Sequence, residues 1–152
     1  MKKIFSILLF IILLTFSLLN IHSCSSREDT VSCFPLTPIS VNLNLNLAAY
    51  NNLNYVGGWI YVDEQQSGSR GLIVVRTGDS PAAFKVYDRN APHLCPDTGT
   101  TLEVKDNISI ICPKDNAIWI LLTGQPTSGT SLPPKTYFWN YDSATKNLSL
   151  YN

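Results

Sequence analysis

Histidine is nearly absent from this chain. His22 and His93 are the only two in 152 residues, and His22 falls within the apolar leader described below. The remainder therefore has a single imidazole and cannot by itself build a site that needs two. Basic charge is also scarce: 11 Lys and Arg balance 11 Asp and Glu. Without the leader's Lys2 and Lys3 the balance becomes nine against eleven, and no basic stripe remains. A surface of that kind excludes nucleic acid as a partner, because phosphate recognition requires an excess of Lys and Arg. No segment after the leader carries a helical apolar period, and no internal repeat is present. No glycine-rich phosphate loop occurs, since Gly57-Gly58 and the stretch from Gly124 to Gly129 sit where β-turns are expected. Ser67-Gly68 and Ser128-Gly129 lack the strand–turn–helix setting of a nucleophile elbow. Cys95 and His93 stand too close in one loop to form a nucleophile and base, which are normally assembled from separate parts of a fold. No motif in the chain marks an enzyme.

What is present begins with an address. Met1-Lys2-Lys3 precedes an apolar run from Ile4 to Leu19, broken only by Ser6, Thr15 and Ser17. A basic start followed by such a run reads as a bacterial export signal. An uncleaved anchor is the alternative, because the run approaches the ~20 residues that cross a bilayer. Ile21-His22-Ser23-Cys24 resembles a lipobox and favours the signal, with cleavage before Cys24 and lipid on that cysteine. The expected divisions are a signal peptide over 1–23, a lipidated flexible tether over 24–40 and a folded domain over 41–152. Removing 23 residues from 152 leaves 129, the size of one domain. Lipid would hold the protein at the membrane at ~0.8 kcal/mol per buried methylene. The implied location is the bacterial cell envelope, and Glu28-Asp29 after the cysteine fits sorting to the outer membrane.

The domain reads as all-β. Val41-Asn42-Leu43-Asn44-Leu45-Asn46-Leu47 alternates strictly, as a half-buried strand does. Strands are expected at 59–62, 71–76, 83–87, 101–104, 108–111, 117–122, 136–141 and 148–151, separated by Gly-, Pro-, Asn- and Asp-bearing turns. Short β-rich runs at this spacing indicate a sandwich or barrel. Asp88 to Gly99 holds two prolines, a histidine and a cysteine and reads as a structured loop. Trp59, Trp119 and Trp139 all fall in expected strands and are read as core residues.

From about Gly71 to Tyr151 the chain resembles a Rieske iron–sulfur domain. Val86-Tyr87-Asp88-Arg89-Asn90-Ala91-Pro92-His93 is similar to the family's DNRCPH approach to its first cluster loop. Ile111-Cys112-Pro113-Lys114-Asp115 is similar to the CPxHG of the second. Trp119 to Pro126 is similar to FDLxTGxP, and Gly129 to Tyr137 to the proline loop and closing strand. The resemblance implies a Rieske-like antiparallel β-sandwich or barrel with two former cluster-binding loops.

Rieske clusters use two cysteines and two histidines, thiolates on one iron and imidazoles on the other. His93 and Cys112 occupy one position of each kind. Ala91 stands where the first cysteine belongs and Asp115 where the second histidine belongs. Together with the histidine count, this implies no standard 2Fe-2S cluster and no cofactor. The signal agrees: a preassembled cluster is exported folded through a twin-arginine signal, and Lys2-Lys3 is not one.

The resemblance also places Cys95 opposite Cys112. A disulfide between them would close about sixteen residues, worth ~3 kcal/mol in the chain-entropy picture, and would leave Cys33 as the odd cysteine in the tether. The alternative use of the same residues is a mononuclear metal, zinc or copper, on His93, Cys95, Cys112 and Asp115. The expected role is a binding or structural module of an envelope assembly, with loops near His93 and Pro133 facing a protein partner. The alternative is an electron-transfer or oxidoreductase component that keeps a modified 2Fe-2S or mononuclear centre.

Overall fold

The apolar run at Leu72-Ile73-Val74-Val75 organises the molecule. In the computed structural model, which describes residues 30–67 and 69–152, all four side chains are fully buried. The expected export signal and Cys24 lie outside the described residues. An unbroken apolar run marks a strand with cover on both faces, whereas alternation marks one with a single covered face. Strand β3 (Leu72–Asp79) pairs antiparallel with β2 (Trp59–Val62) on one side and β4 (Ala82–Asp88) on the other.

One face of this sheet packs on a second sheet. There β1 (Ser40–Asn44), β10 (Asn147–Tyr151) and β9 (Phe138–Asp142) lie in that spatial order. Val41, Leu43, Leu148 and Leu150 meet Val62, Leu72, Val74, Phe84 and Val86. The Asn/Leu alternation works as expected through Leu45; Leu47 is exposed because the chain turns at Asn46 into a 3-10 turn, Ala48–Asn54. A Cβ at Gly58 would lie 1.8 Å from the carbonyl oxygen of Asn52, so the return from that turn into β2 requires glycine.

The other face covers a second core. It is built with β5 (Glu103–Lys105), β6 (Ser109–Ile111), β7 (Ile118–Ile120) and β8 (Pro126–Ser128), a four-stranded antiparallel meander. Ile73 and Val75 pack here with Tyr87, Leu102, Ile110, Cys112 and Trp119. Asp106 and Asn107 both take positive φ in the β5–β6 turn, the type I′ geometry that matches strand twist. The all-β expectation holds, and every strand pairing among the described residues is antiparallel. The expected loop from 123 to 134 contains one strand more, β8, whose single β-branched residue, Thr127, stands between Pro126 and Ser128 and makes no alternating pattern. The expected turn from 63 to 70 contains a single helical turn, α1 (Glu64–Ser67). Trp119 is fully buried, while Trp59 and Trp139 pack half-buried against the two cores.

The tether boundary at residue 40 needs correction. Phe34 and Ile39 are buried, the Val31 N–H donates to the Pro92 carbonyl at 2.9 Å, and Cys33 is bonded to Cys95. The chain is fastened to the domain from Val31 onward. Pro35 and Pro38 hid this by breaking any strand pattern, and the contacts use two backbone N–H groups, one sulfur and two side chains rather than a ladder.

Truncating the doubly covered strand, Ile73→Ala, should cost about 2–5 kcal/mol. The half-exposed Ile120→Ala should cost under about 1 kcal/mol. Urea unfolding of the two variants checks this, and similar losses at both sites would contradict a two-sided β3.

Candidate functional site

Two loops leave the second core side by side. The first follows β4 and runs from Arg89 to Thr100; the second, Cys112–Ala117, joins β6 to β7. The first is shaped by a buried carboxylate. Asp88 Oδ1 accepts from the backbone N–H of Asn90 at 2.7 Å and from its Nδ2 at 2.8 Å, and Asp88 Oδ2 accepts from the Tyr137 hydroxyl at 2.6 Å. Burial and this carboxylate push the Tyr137 phenol upward, so it stays a donor. The turn aims Ala91 into the core, where it is 1% exposed, and sends the chain outward to His93. Arg70 Nη1 holds the far end, donating to the Asp97 carbonyl at 2.7 Å and to Thr100 Oγ1 at 3.1 Å.

The second loop is closed on itself. The Cys112 N–H donates to the Ala117 carbonyl at 2.9 Å, and Asn116 takes a positive φ. Asp115 Oδ1 accepts from the Ala117 N–H at 3.1 Å. A Cβ at Gly129 would lie 2.6 Å from Ala117 Cα, so glycine lets the following loop pass close behind. Trp119 Nε1 donates to the Leu132 carbonyl at 2.8 Å, and the Trp119 ring lies 5.6 Å from that of His93. Trp119 thus ties the Pro133 region to the His93 loop.

The loops meet at His93 and Asp115, whose Nε2 and Oδ2 are 2.6 Å apart. The His93 side chain is 12% exposed and that of Asp115 32%. Below them the Cys112 thiol is fully buried, 4.0 Å from the Gly99 carbonyl. Burial pushes this thiol up, and the neighbouring Asp115 carboxylate adds to the rise. Burial also raises Asp115, but hydrogen bonds from His93, the Ala117 N–H and the Cys112 thiol outweigh it and hold the carboxyl below its ordinary range. His93 Nδ1 is buried with no partner among the described residues. An ion pair of Lys114 with Asp97 links the loops a second time.

The four residues that the sequence places at positions resembling cluster ligands, Ala91, His93, Cys112 and Asp115, therefore converge. The expected Cys95–Cys112 disulfide does not form. Cys95 is bonded to Cys33 and Cys112 is a free thiol. Cys112 lies on the floor of the core, whereas Cys95 lies on the outer side of its loop, where the Val31–Phe34 segment passes. The four-residue metal set accordingly loses Cys95, and His93, Cys112 and Asp115 remain, with donor atoms all within 4.8 Å of one another. A 2Fe-2S cluster does not fit this donor set. Ala91 offers a methyl group, the second thiolate candidate is consumed in the disulfide, and the described residues hold one imidazole. Sequence reasoning also missed the Asp88–Asn90–Tyr137 network; the Asp-x-Asn spacing at 88–90 is the signal, since Asp side chains bond backbone N–H groups two residues on.

No family model matches the chain, and no curated protein does. Among solved structures, a chain of the complex of reduced oxygenase and oxidized ferredoxin in carbazole 1,9a-dioxygenase is similar at 20% identity and TM-score 0.46, covering 76% of this chain and 94% of its own. A protein assigned as an NADH-dependent nitrite reductase small subunit from Mycobacterium tuberculosis is similar at 10% identity and TM-score 0.43, covering 76% and 96%.

Peptide mapping without reductant should recover Cys33 linked to Cys95. Cys112 should resist alkylation until the protein is unfolded. A linked Cys95–Cys112 peptide would refute the pairing. Tyr137→Phe should cost about 1–3 kcal/mol in denaturant unfolding by stranding the Asp88 carboxylate; a loss below a few tenths would place Asp88 in contact with solvent.

Proposed function

We propose that this protein is a lipid-anchored envelope module built on a Rieske-like scaffold that has given up its 2Fe-2S cluster and serves in binding rather than electron transfer. The single observation that carries the reading is the His93–Asp115 contact. Two loops that resemble cluster loops are joined by a 2.6 Å protein–protein bond between positions where the family has two imidazoles. The loops need no inorganic group to keep their shape. The Asp88 network, the Cys33–Cys95 disulfide and the Lys114–Asp97 pair hold them instead.

The sequence at Ile21-His22-Ser23-Cys24 supports the anchor and the envelope location, with the outer membrane as destination. The surface offered to a protein partner is the rim around His93 and Pro133, which Trp119 holds together. Such a module does no chemistry on a substrate. Its donor set does not fit the cluster, so electron transfer through a 2Fe-2S centre forms no part of its role.

The first test is a visible spectrum with iron analysis on protein isolated from its own membrane, alongside lipid labelling. The expected protein is colourless and free of stoichiometric iron, and its lipid label disappears in Cys24→Ala. Visible absorbance with about two irons per chain would overturn the cluster-free reading. A label that survives Cys24→Ala would overturn the anchor.

A further inference from the structure

The Cys33–Cys95 disulfide changes what the site can do. With Cys95 paired to Cys33, the Cys112 sulfur is available, and three different donor types face one another on two clamped loops: an imidazole, a thiol and a carboxylate. We propose that His93, Cys112 and Asp115 form a mononuclear binding site for a borderline-soft divalent cation of the zinc class. The inference rests on the cluster-free reading, since a 2Fe-2S centre would claim His93 and Cys112.

Donor chemistry is the first argument. Zinc is held by imidazole nitrogen, thiolate sulfur and carboxylate oxygen at about 2.0–2.3 Å, and sites with three protein ligands keep a fourth position open. Soft sulfur with imidazole disfavours magnesium and calcium, which prefer all-oxygen shells. A spread of 4.8 Å between donors closes onto such an ion with side-chain shifts of about an ångström. Asp115, partly exposed at the loop tip, is the group freest to make them.

Charge is the second argument. Thiolate and carboxylate together carry two negative charges, so a divalent ion beside a neutral imidazole leaves the partly buried site uncharged overall. An unpaired buried ion would be costly there. On binding, the sulfur–metal bond forms as the Cys112 S–H proton leaves to solvent, one proton per ion.

The third argument is position. His93 Nε2 and Asp115 Oδ2 already lie 2.6 Å apart, within 4.8 Å of the Cys112 sulfur, so an ion taken up through Nε2, Oδ2 and Sγ replaces a contact that is already there. The two loops are held by other bonds, the Cys33–Cys95 disulfide and the Asp88 network, and the donors stay facing one another when that contact is exchanged for the ion.

The test uses the full chain in detergent, without reductant, stripped by a chelator. Zinc is titrated by calorimetry in buffers of differing protonation heat, and cobalt(II) by absorbance. The expected result is one ion per chain, about one proton released, and a cobalt–thiolate charge-transfer band that Cys112→Ser abolishes. His93→Gln and Asp115→Asn, which remove direct ligands, should each weaken affinity by about 100-fold or more, beyond the loss typical of an outer-shell partner, while Glu103→Gln on β5 leaves it unchanged. Circular dichroism and melting of the apo variants separate lost ligands from lost fold. X-ray absorption at the zinc edge of the unmutated protein, with sulfur expected in the first shell, needs no variant at all. No saturable zinc binding, or binding with only oxygen and nitrogen around the metal, would overturn the site while leaving the cluster-free reading intact. Brown protein with two irons would instead overturn that reading.

Discussion

Burial of β3 on both faces is the constraint on which the rest depends. Leu72 and Val74 close one core, and Ile73 and Val75 the other, so the central sheet is shared between two hydrophobic layers. A one-residue slip in its pairing would exchange the two sets of side chains between the cores. The β4 strand inherits its register from β3, with Leu72 opposite Asp88. That register sets where β4 ends, and β4 ends at the carboxylate that shapes the first loop. The position of His93 thus follows, through Asp88 and Asn90, from the packing of four aliphatic residues.

The two loops are held by interactions of different range. Asp88 with Asn90 acts over two residues, Cys112 with Ala117 over one tight turn, and Tyr137 with Asp88 across 49 residues. The disulfide acts over 62. In the chain-entropy picture a crosslink of that span is worth about 4 kcal/mol, comparable to truncating one central core side chain. The local bonds fix shape, and the long-range ones fix where each loop stands. His93 and Asp115, which belong to different loops, meet only because both kinds are present.

The strands were legible because their signals are local. Alternation at Val41–Leu45, the apolar run at Leu72–Val75 and the Asp106-Asn107 turn each specify backbone geometry within a few residues. The convergence of Ala91, His93, Cys112 and Asp115 was legible through resemblance of the two loops to a known pattern. What escaped depends on distant partners. Pro126-Thr127-Ser128 becomes a strand because β7 offers it an edge. Val31, Cys33 and Phe34 become part of the domain because the outer side of the first loop offers Pro92 and Cys95. Cysteine pairing followed the same logic: proximity in the loop pattern suggested Cys112, but depth in the fold decided for Cys33.

The Cys33–Cys95 bond also sets how the molecule would bear load. A pull between the two ends of the described chain enters at its N-terminal side, reaches Cys33, and crosses the sulfur bridge directly to Cys95. The segment between these two cysteines, which contains β1 through β4, lies in a closed loop outside the covalent line of force, and of its strands β1 is loaded through its pairing with the C-terminal β10. Tension would be delivered to the His93 loop before any strand of the central sheet was asked to yield. The loop that carries the site is then also the mechanical junction of the protein.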